Sequence, residues 1–409
     1  MAKQDKAARE KADRIRARSW TFSQMVIGPW MRSKFNFSCA KFDPDKIEGP
    51  VLVAINHASA YDPILVGIAF RKKRLTFIAS EHLMRMKPWG AVLDRHFSLI
   101  PHQKGARSSR TALVAMKRMK RGESIFLAVE GEQTWDGKPL PVMPYTGKLV
   151  KGSGATLVTY RLEGAYLSAP RWAANTRKGK VYGYPVNVYA PEDLKKMSDE
   201  EVEAAIEKDL AFDTWEWQKA QPDGPLRYRC AKGGNADGLE RAVFTCPSCG
   251  SMDTLRSNGD YISCACGFKA RLSDTGFFDP PEPFETVADW EKLDLEALED
   301  RLGKAQEDGS DIIFSDEGVT LLSIEEGHSE NEIARGELTL KYEDGAFALH
   351  IGDHVFSMTG ISGMTMVLAG RVVFSDESGY YELRADKSGR TNLRKYVIAR
   401  DIINSKTKE

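Results

Sequence analysis

The chain has 409 residues, enough for two to four domains that each bury a core. Lys plus Arg and Asp plus Glu are equal at 58, so no global field draws the protein to nucleic acid or to acidic lipid, and any electrostatic preference is local. One local excess opens the chain: Lys3 to Lys34 is rich in Lys and Arg and also carries Trp20, Phe22, Met25, Val26, Ile27, Trp30 and Met31, with Phe35 and Phe37 just beyond. This stretch is too interrupted by Ser, Gln, Pro and Arg to cross a bilayer, and it lacks the apolar core of a signal peptide. Charge beside aromatics suits a helix lying in the membrane interface, which makes residues 1–40 a candidate membrane-interface segment at the cytoplasmic face. The competing reading is that these aromatics cover the core of the next domain.

Short apolar runs then alternate with helical stretches. Val51 to Ile55, Leu75 to Ala79, Ser124 to Val129 and Ala155 to Tyr160 read as strands buried on both faces. Between them, Ser109 to Arg121 sets Leu113, Met116 and Met119 near one face, as in an amphipathic helix. The expectation is an α/β domain over residues 41–225, a mostly parallel sheet flanked by helices, with ligands beyond the strands' carboxyl ends.

Three features fall at such ends. Asn56-His57-Ala58-Ser59-Ala60-Tyr61-Asp62 follows the first strand and sets a histidine five positions before a carboxylate. On a continuous helix residues so spaced point about 140° apart, so the two meet only if the chain bends. Pro63 favours a bend, because the residue before proline avoids helical angles and proline suits the first turn of a new helix. Such a pair can activate an alcohol, although Asp62 also reads as the N-cap of the helix Pro63 to Phe70. The loop Pro101 to Arg107 offers Lys104 and Arg107 as an anion site, and Glu130-Gly131-Glu132-Gln133-Thr134 offers a binding shelf. Beyond the strand Lys180 to Ala190, Ser198 with Glu201 forms a capping box that opens a closing helix.

Over residues 226–280, Cys246-Pro-Ser-Cys249 and Cys264-Ala-Cys266 form two knuckles that match a structural four-sulfur zinc ribbon. Disulfides are the alternative, but a chain without a secretory signal keeps reduced thiols; Cys39 and Cys230 read as ordinary buried thiols. A linker with an acidic helix around Trp290 to Leu302 spans 281–310. Residues 311–409 read as a small β-rich domain, a barrel or curled sheet, with Asp344-Gly345 as a hairpin turn. His350 and His354 read as strand residues and not as a metal pair.

Asn56-His57 with Asp62, followed some seventy residues later by Glu130-Gly131 with Thr134, resembles the first and third motifs of the glycerolipid acyltransferases, typified by bacterial 1-acylglycerol-3-phosphate acyltransferase. The likeness spans roughly residues 20–220. It implies a membrane-associated O-acyltransferase that moves a fatty acyl group from a coenzyme A or acyl carrier protein thioester to a lysophospholipid hydroxyl. In that implied mechanism His57 is the general base and Asp62 orients it, while Glu130, Gly131 and Thr134 shape the acceptor site. The family's second-motif arginine has only Lys104 and Arg107 near its place, the proline before the Glu is Val129, and Trp135 follows the threonine. Arg and Lys differ as phosphate ligands, so the acceptor is less closely specified than the chemistry. Two other readings carry different predictions: a zinc-ribbon binding or regulatory protein with a degenerate front domain, and an acyl thioester hydrolase using the same pair. The ribbon has few clustered cations, so nucleic acid is not the expected partner.

Overall fold

The computed structural model describes residues 2–86, 88–105, 110–309, 312–325, 329–386 and 391–406. The apolar runs do become buried strands: β1 (Phe37–Cys39), β2 (Val51–Ile55), β3 (Leu75–Ser80), β4 (Leu99–His102), β5 (Ser124–Ala128), β6 (Thr156–Glu163) and, after the two-residue β7 (Arg177–Lys178), β8 (Val181–Tyr189). The main sheet has the order β1-β8-β6-β2-β5-β3-β4. Its pairings are parallel except β6 with β8, which run antiparallel.

Around it lie α1 (Ala2–Phe35), α2 (Asp62–Ala69), α3 (His82–Arg85), α4 (Trp89–His96), α5 (Arg110–Met119), α6 (Thr146–Ser153), α7 (Ala165–Ser168), α8 (Pro191–Leu194), α9 (Asp199–Leu210) and α10 (Thr214–Lys219). Alternate residues of the central strands feed two separate cores, because side chains alternate across a sheet. Leu52, Ala54, Ile125, Leu127 and Leu157 pack with Ala115, Met119, Val150, Val202 and Ile206 of α5, α6 and α9. Val51, Val53, Ile55, Phe126 and Val158 pack on the other side with Leu65 and Val66 of α2 and with Trp20, Met31 and Phe35 of α1. The core-covering reading of the first segment therefore holds for part of its apolar residues. Trp20, Met31, Phe35 and Phe37 cover the core, whereas Phe22, Met25, Val26 and Trp30 remain exposed.

A short clip of β7 with β9 (Arg229–Cys230) leads into the cysteine region, where β10 (Leu255–Asn258), β11 (Tyr261–Cys264) and β12 (Lys269–Arg271) form an antiparallel ribbon. Helix α11 (Val287–Asp308) fastens it: Asp294 accepts the backbone N–H groups of Phe244 and Thr245, and the Trp290 indole donates to the Thr245 carbonyl at 2.8 Å.

The tail is one antiparallel sheet of β13 (Ile312–Ile324), β14 (Glu330–Glu343), β15 (Ala346–Ile351), β16 (His354–Ser357), β17 (Gly363–Leu368), β18 (Arg371–Ser375) and β19 (Tyr380–Ala385), followed by α12 (Arg394–Lys406). Its order, β16-β15-β14-β13-β19-β18-β17, leaves β16 and β17 as edges, so among the described residues it is an open sheet and not a closed barrel. The Asp344-Gly345 turn forms as expected, with φ of 51° and 80°, the two positive values that a two-residue hairpin of this hand requires.

This second sheet docks on the carboxyl-end rim of the first. After β3, Arg85 reaches Glu330 of β14 and Glu382 of β19, both at 2.7 Å. After β4, the Gly105 backbone meets Gly363 of β17 so closely that a Cβ on Gly363 would lie 2.8 Å from the Gly105 oxygen; Ser375 of β18 also donates to that oxygen. After β5, Glu132 accepts from Thr365, and after β6, Arg171 donates to the Met366 carbonyl at 2.9 Å. An edge strand presents unpaired backbone groups that invite pairing with other chains. Here β17 is covered by the rim of the neighbouring domain.

Candidate active site

His57 leaves the end of β2 at the centre of the sheet, where Asn56 anchors the backbone by exchanging two hydrogen bonds with Leu162 of β6, at 3.0 and 2.9 Å. The chain then turns back through Ser59 into α2. Asp62 lies in the first turn of that helix, but it does not cap it, since the N-cap position belongs to Tyr61, whose side chain makes no capping bond. Instead the fully buried Asp62 carboxyl reaches back into the turn. It accepts from the backbone N–H of Ala58 at 2.8 Å and of Ser59 at 2.9 Å, and from the Ser59 hydroxyl at 2.6 Å. The fourth partner is His57 Nδ1, at 2.9 Å.

This network fixes the imidazole. With Nδ1 held by Asp62, Nε2 is the ring nitrogen without a protein partner among the described residues, the geometry of a base whose orientation is set by a buried carboxyl. On the other side, the Glu130 carboxyl accepts the His57 backbone N–H at 3.3 Å and Thr134 N–H donates to the His57 carbonyl at 3.1 Å. The Glu-Gly loop after β5 therefore clasps the His57 backbone. Burial pushes the Glu130 carboxyl up to about 8, despite the N–H it accepts, which favours its uncharged form near neutrality.

A cleft of about 210 Å³ opens at His57. Its lining is Asn56, His57, Ala58, Glu130, Thr134, Gly137, Lys138, Pro139, Phe212 and Thr214. His57, Glu130 and Thr134 thus share one site, as the motif spacing implies. Gly131 stands behind it as the turn that makes the loop possible: its φ is 70°, and a Cβ there would lie 2.5 Å from the Met143 sulfur.

The basic loop is placed differently. Lys104 does not line the cleft; it stands beside the Gly105 backbone that meets the docked sheet, and desolvation lowers its ammonium to about 8, with Glu132 opposing that fall and Arg171 adding to it. Arg107 lies outside the described residues. The Gly105 backbone meets β17 and β18, which sets the described part of the loop against the tail sheet and not against the cleft. Arg171 was not evident from sequence. Its guanidinium stacks on Trp135 at 4.3 Å, donates to the Gln133 carbonyl at 3.2 Å and pairs with Glu132 at 3.6 Å, so it stiffens the Glu-Gly loop from below. Lys138 was also missed, although Asp136-Gly137 is a turn signal that leaves the next side chain beside the loop. A larger cavity of about 400 Å³ at the junction of ribbon and tail sheet, lined by Arg241, Asp253, Arg256 and Asn392 among others, holds none of the motif residues.

The four ribbon cysteines come together. Cys246 Sγ lies 3.6 Å from Cys266 Sγ, Cys249 Sγ lies 3.9 Å from Cys264 Sγ, and all four sulfurs are within 4.8 Å of one another. With zinc–sulfur bonds near 2.3 Å, a tetrahedral site separates its sulfurs by about 3.8 Å, so the cluster fits a metal ion without rearrangement. Cys39 and Cys230 stand apart as free thiols.

Residues 36–163 match the family model described as Acyltransferase. Among solved structures, the chain is similar to the 1-acyl-sn-glycerophosphate (LPA) acyltransferase PlsC from Thermotoga maritima, with 20% identity and a TM-score of 0.41, over 54% of this chain and 85% of that one. No curated protein matches the chain.

Proposed function

We propose that the protein is a membrane-associated O-acyltransferase that moves a fatty acyl group from a coenzyme A or acyl carrier protein thioester to the hydroxyl of a lysophospholipid, with 1-acylglycerol-3-phosphate as the leading acceptor. The observation that carries this reading is the His57–Asp62 contact at the mouth of a cleft, inside the segment that matches the acyltransferase family. His57 Nε2 takes the proton of the acceptor hydroxyl, and the oxygen forms a bond to the thioester carbonyl carbon. The tetrahedral intermediate collapses, the carbon–sulfur bond breaks, and the imidazolium returns its proton to the departing sulfur. Asp62 stabilises the imidazolium through Nδ1, with the acceptor alcohol in the place a serine takes in a hydrolase triad. Transfer of a labelled acyl group from thioester to lysolipid tests the reading.

Membrane contact falls to the exposed side chains of α1. Phe22, Met25, Val26 and Trp30 recur at helical spacing and are more than half exposed, and Trp89 and Val92 of α4 extend the patch. The two helices are joined by the Ser19 hydroxyl and His96 Nδ1 at 2.7 Å. Among the described residues no helix is long and apolar enough to cross a membrane, so the proposed attachment is peripheral, at the cytoplasmic face. The double variant Met25→Glu/Trp30→Glu is expected to weaken sedimentation with anionic vesicles at least about tenfold, each lost apolar side chain being worth about 1.5–3 kcal/mol; unchanged sedimentation would remove α1 as the anchor.

Cys246, Cys249, Cys264 and Cys266 are proposed to hold a structural zinc that folds the ribbon against α11. Elemental analysis of the purified chain should return one zinc per molecule, and a Cys249→Ser/Cys266→Ser variant that keeps full metal content would dismiss the site.

A further inference from the structure

The docked tail sheet leaves the site with a chemical problem. A lysophosphatidate-type acceptor carries an anionic phosphate close to its reacting hydroxyl, and Lys104, half-buried beside the Gly105 backbone that meets β17 and β18, does not line the cleft. Arg171 is itself buried and committed to Gln133, Glu132 and Met366. Neither cation borders the cleft at His57. A phosphate brought there needs a positive charge from elsewhere.

We infer that Lys138 is the anion-binding residue of this site and selects acceptors that bear a phosphate beside the reacting hydroxyl. This deepens the acyltransferase reading and rests on it. Among the described residues, Lys138 is the one Lys or Arg that lines the cleft. Its backbone is fixed independently of its side chain: Lys138 N–H donates to Asp136 at 3.0 Å, and Gly137 before it takes a φ of 87° and packs so tightly on Tyr166 that a Cβ would come within 2.8 Å of the ring. Thr134 ties this turn to the His57 loop, since its hydroxyl donates to Asp136 at 3.0 Å and accepts from Gly137 N–H at 3.0 Å. The turn and the histidine are therefore held by one threonine, with Thr134 N–H on the His57 carbonyl.

The side chain is only loosely held. It is 42% exposed, and its recorded partner is Asp213 Oδ2 at 3.9 Å, the edge of ion-pair range, while Asp213 spends Oδ1 on capping α10 through Trp215 and Glu216 N–H. A phosphate of higher charge displaces so loose a partner. The neighbouring Glu130, largely uncharged when buried against His57, opposes that phosphate less than a carboxylate would.

The test is steady-state transfer by the full chain to two acceptors with the same acyl chain, a lysophosphatidate and an uncharged monoacylglycerol, in wild type, Lys138→Gln and Lys138→Arg. Lys138→Gln is expected to raise KM for the lysophosphatidate about 10- to 100-fold, the range for losing a charged hydrogen bond, with kcat for that acceptor and all parameters for the monoacylglycerol unchanged. Lys138→Arg should recover most of the loss. Equal losses on both acceptors, no loss on either, or a wild type that prefers the uncharged acceptor would each overturn the assignment while leaving the acyltransferase reading in place. A wild type that transfers to neither acceptor overturns that reading and this one with it.

Discussion

Replacing His57 with Ala is expected to lower acyl transfer by about 10³–10⁴-fold, the range over which a positioned general base operates, without unfolding the chain. The side chain is at the edge of the cleft, and among the described residues its one hydrogen bond is to Asp62. The loss should fall on kcat, because the imidazole acts on the proton that moves in the transition state and not on the groups that hold the substrate. Asp62→Asn is a different perturbation. The Asp62 carboxyl receives Ala58 N–H, Ser59 N–H and the Ser59 hydroxyl besides the ring, and an amide can accept through one oxygen only. That variant should lose activity and also loosen the turn that aims His57, so its unfolding midpoint falls while that of His57→Ala holds. A His57→Ala enzyme with full transfer and an intact fold would remove the base from the mechanism.

The second large effect concerns stability. Glu382 of β19 is fully buried at the contact between the two sheets, where Arg85 Nη1 at 2.7 Å, Arg384 Nη2 at 2.6 Å, Arg371 Nη1 at 3.5 Å and His82 Nδ1 at 3.6 Å converge on its two oxygens. Removing the carboxylate by Glu382→Ala leaves the three arginines facing one another, and breaking a buried pair in this way costs about 3–5 kcal/mol. The midpoint of chemical denaturation should fall accordingly, and the junction of the two sheets should become open to protease. Acid should act in the same direction. Burial raises the affinity of Glu382 for a proton, but His82, Arg384 and Arg85 outweigh it and hold the carboxyl at about 2 against an ordinary 4.5. A carboxyl whose folded value is depressed contributes stability that is present above its unfolded value and is lost as pH falls from about 4.5 toward about 2. Glu382→Ala should flatten that part of the stability profile. An unchanged midpoint together with an unchanged acid limb would mean that the cluster does not hold the domains together.

The parts of this fold that were legible in the sequence are those that local physics specifies. Continuous apolar runs marked β2, β3, β5 and β6, Ser198 with Glu201 marked the start of α9 as a true capping box, and Asp344-Gly345 marked the hairpin of β14 and β15. The Asp62-Pro63 junction announced the bend that lets His57 meet its partner. Two close cysteine pairs announced the ribbon. What stayed hidden depends on contacts far apart in the chain. No local pattern says that the three-residue strand β1 pairs in parallel with β8, or that β8 enters beside β6 in the opposite direction. The fate of Lys104 was equally invisible, because its burial is decided by Gly363 and Ser375, more than 250 residues later. Lys138 drew no notice because an exposed lysine after a turn is commonplace until the cleft beside it is known.

The docking also gives the tail sheet a reason to be present. Its strands touch the loops after β3, β4, β5 and β6, every one of them on the rim that carries His57, so the sheet braces the loops around the site while the cleft itself is lined by the first domain.

The central claim is that His57 activates an alcohol, and not water, to take the acyl group. Mass spectrometry of lipids after incubating the full chain with an isotopically labelled acyl thioester, lysophosphatidate and phospholipid vesicles tests it most directly. The account predicts labelled diacyl product that is absent with His57→Ala. Labelled free fatty acid as the sole product, released at the same rate with or without lysophosphatidate, would contradict it.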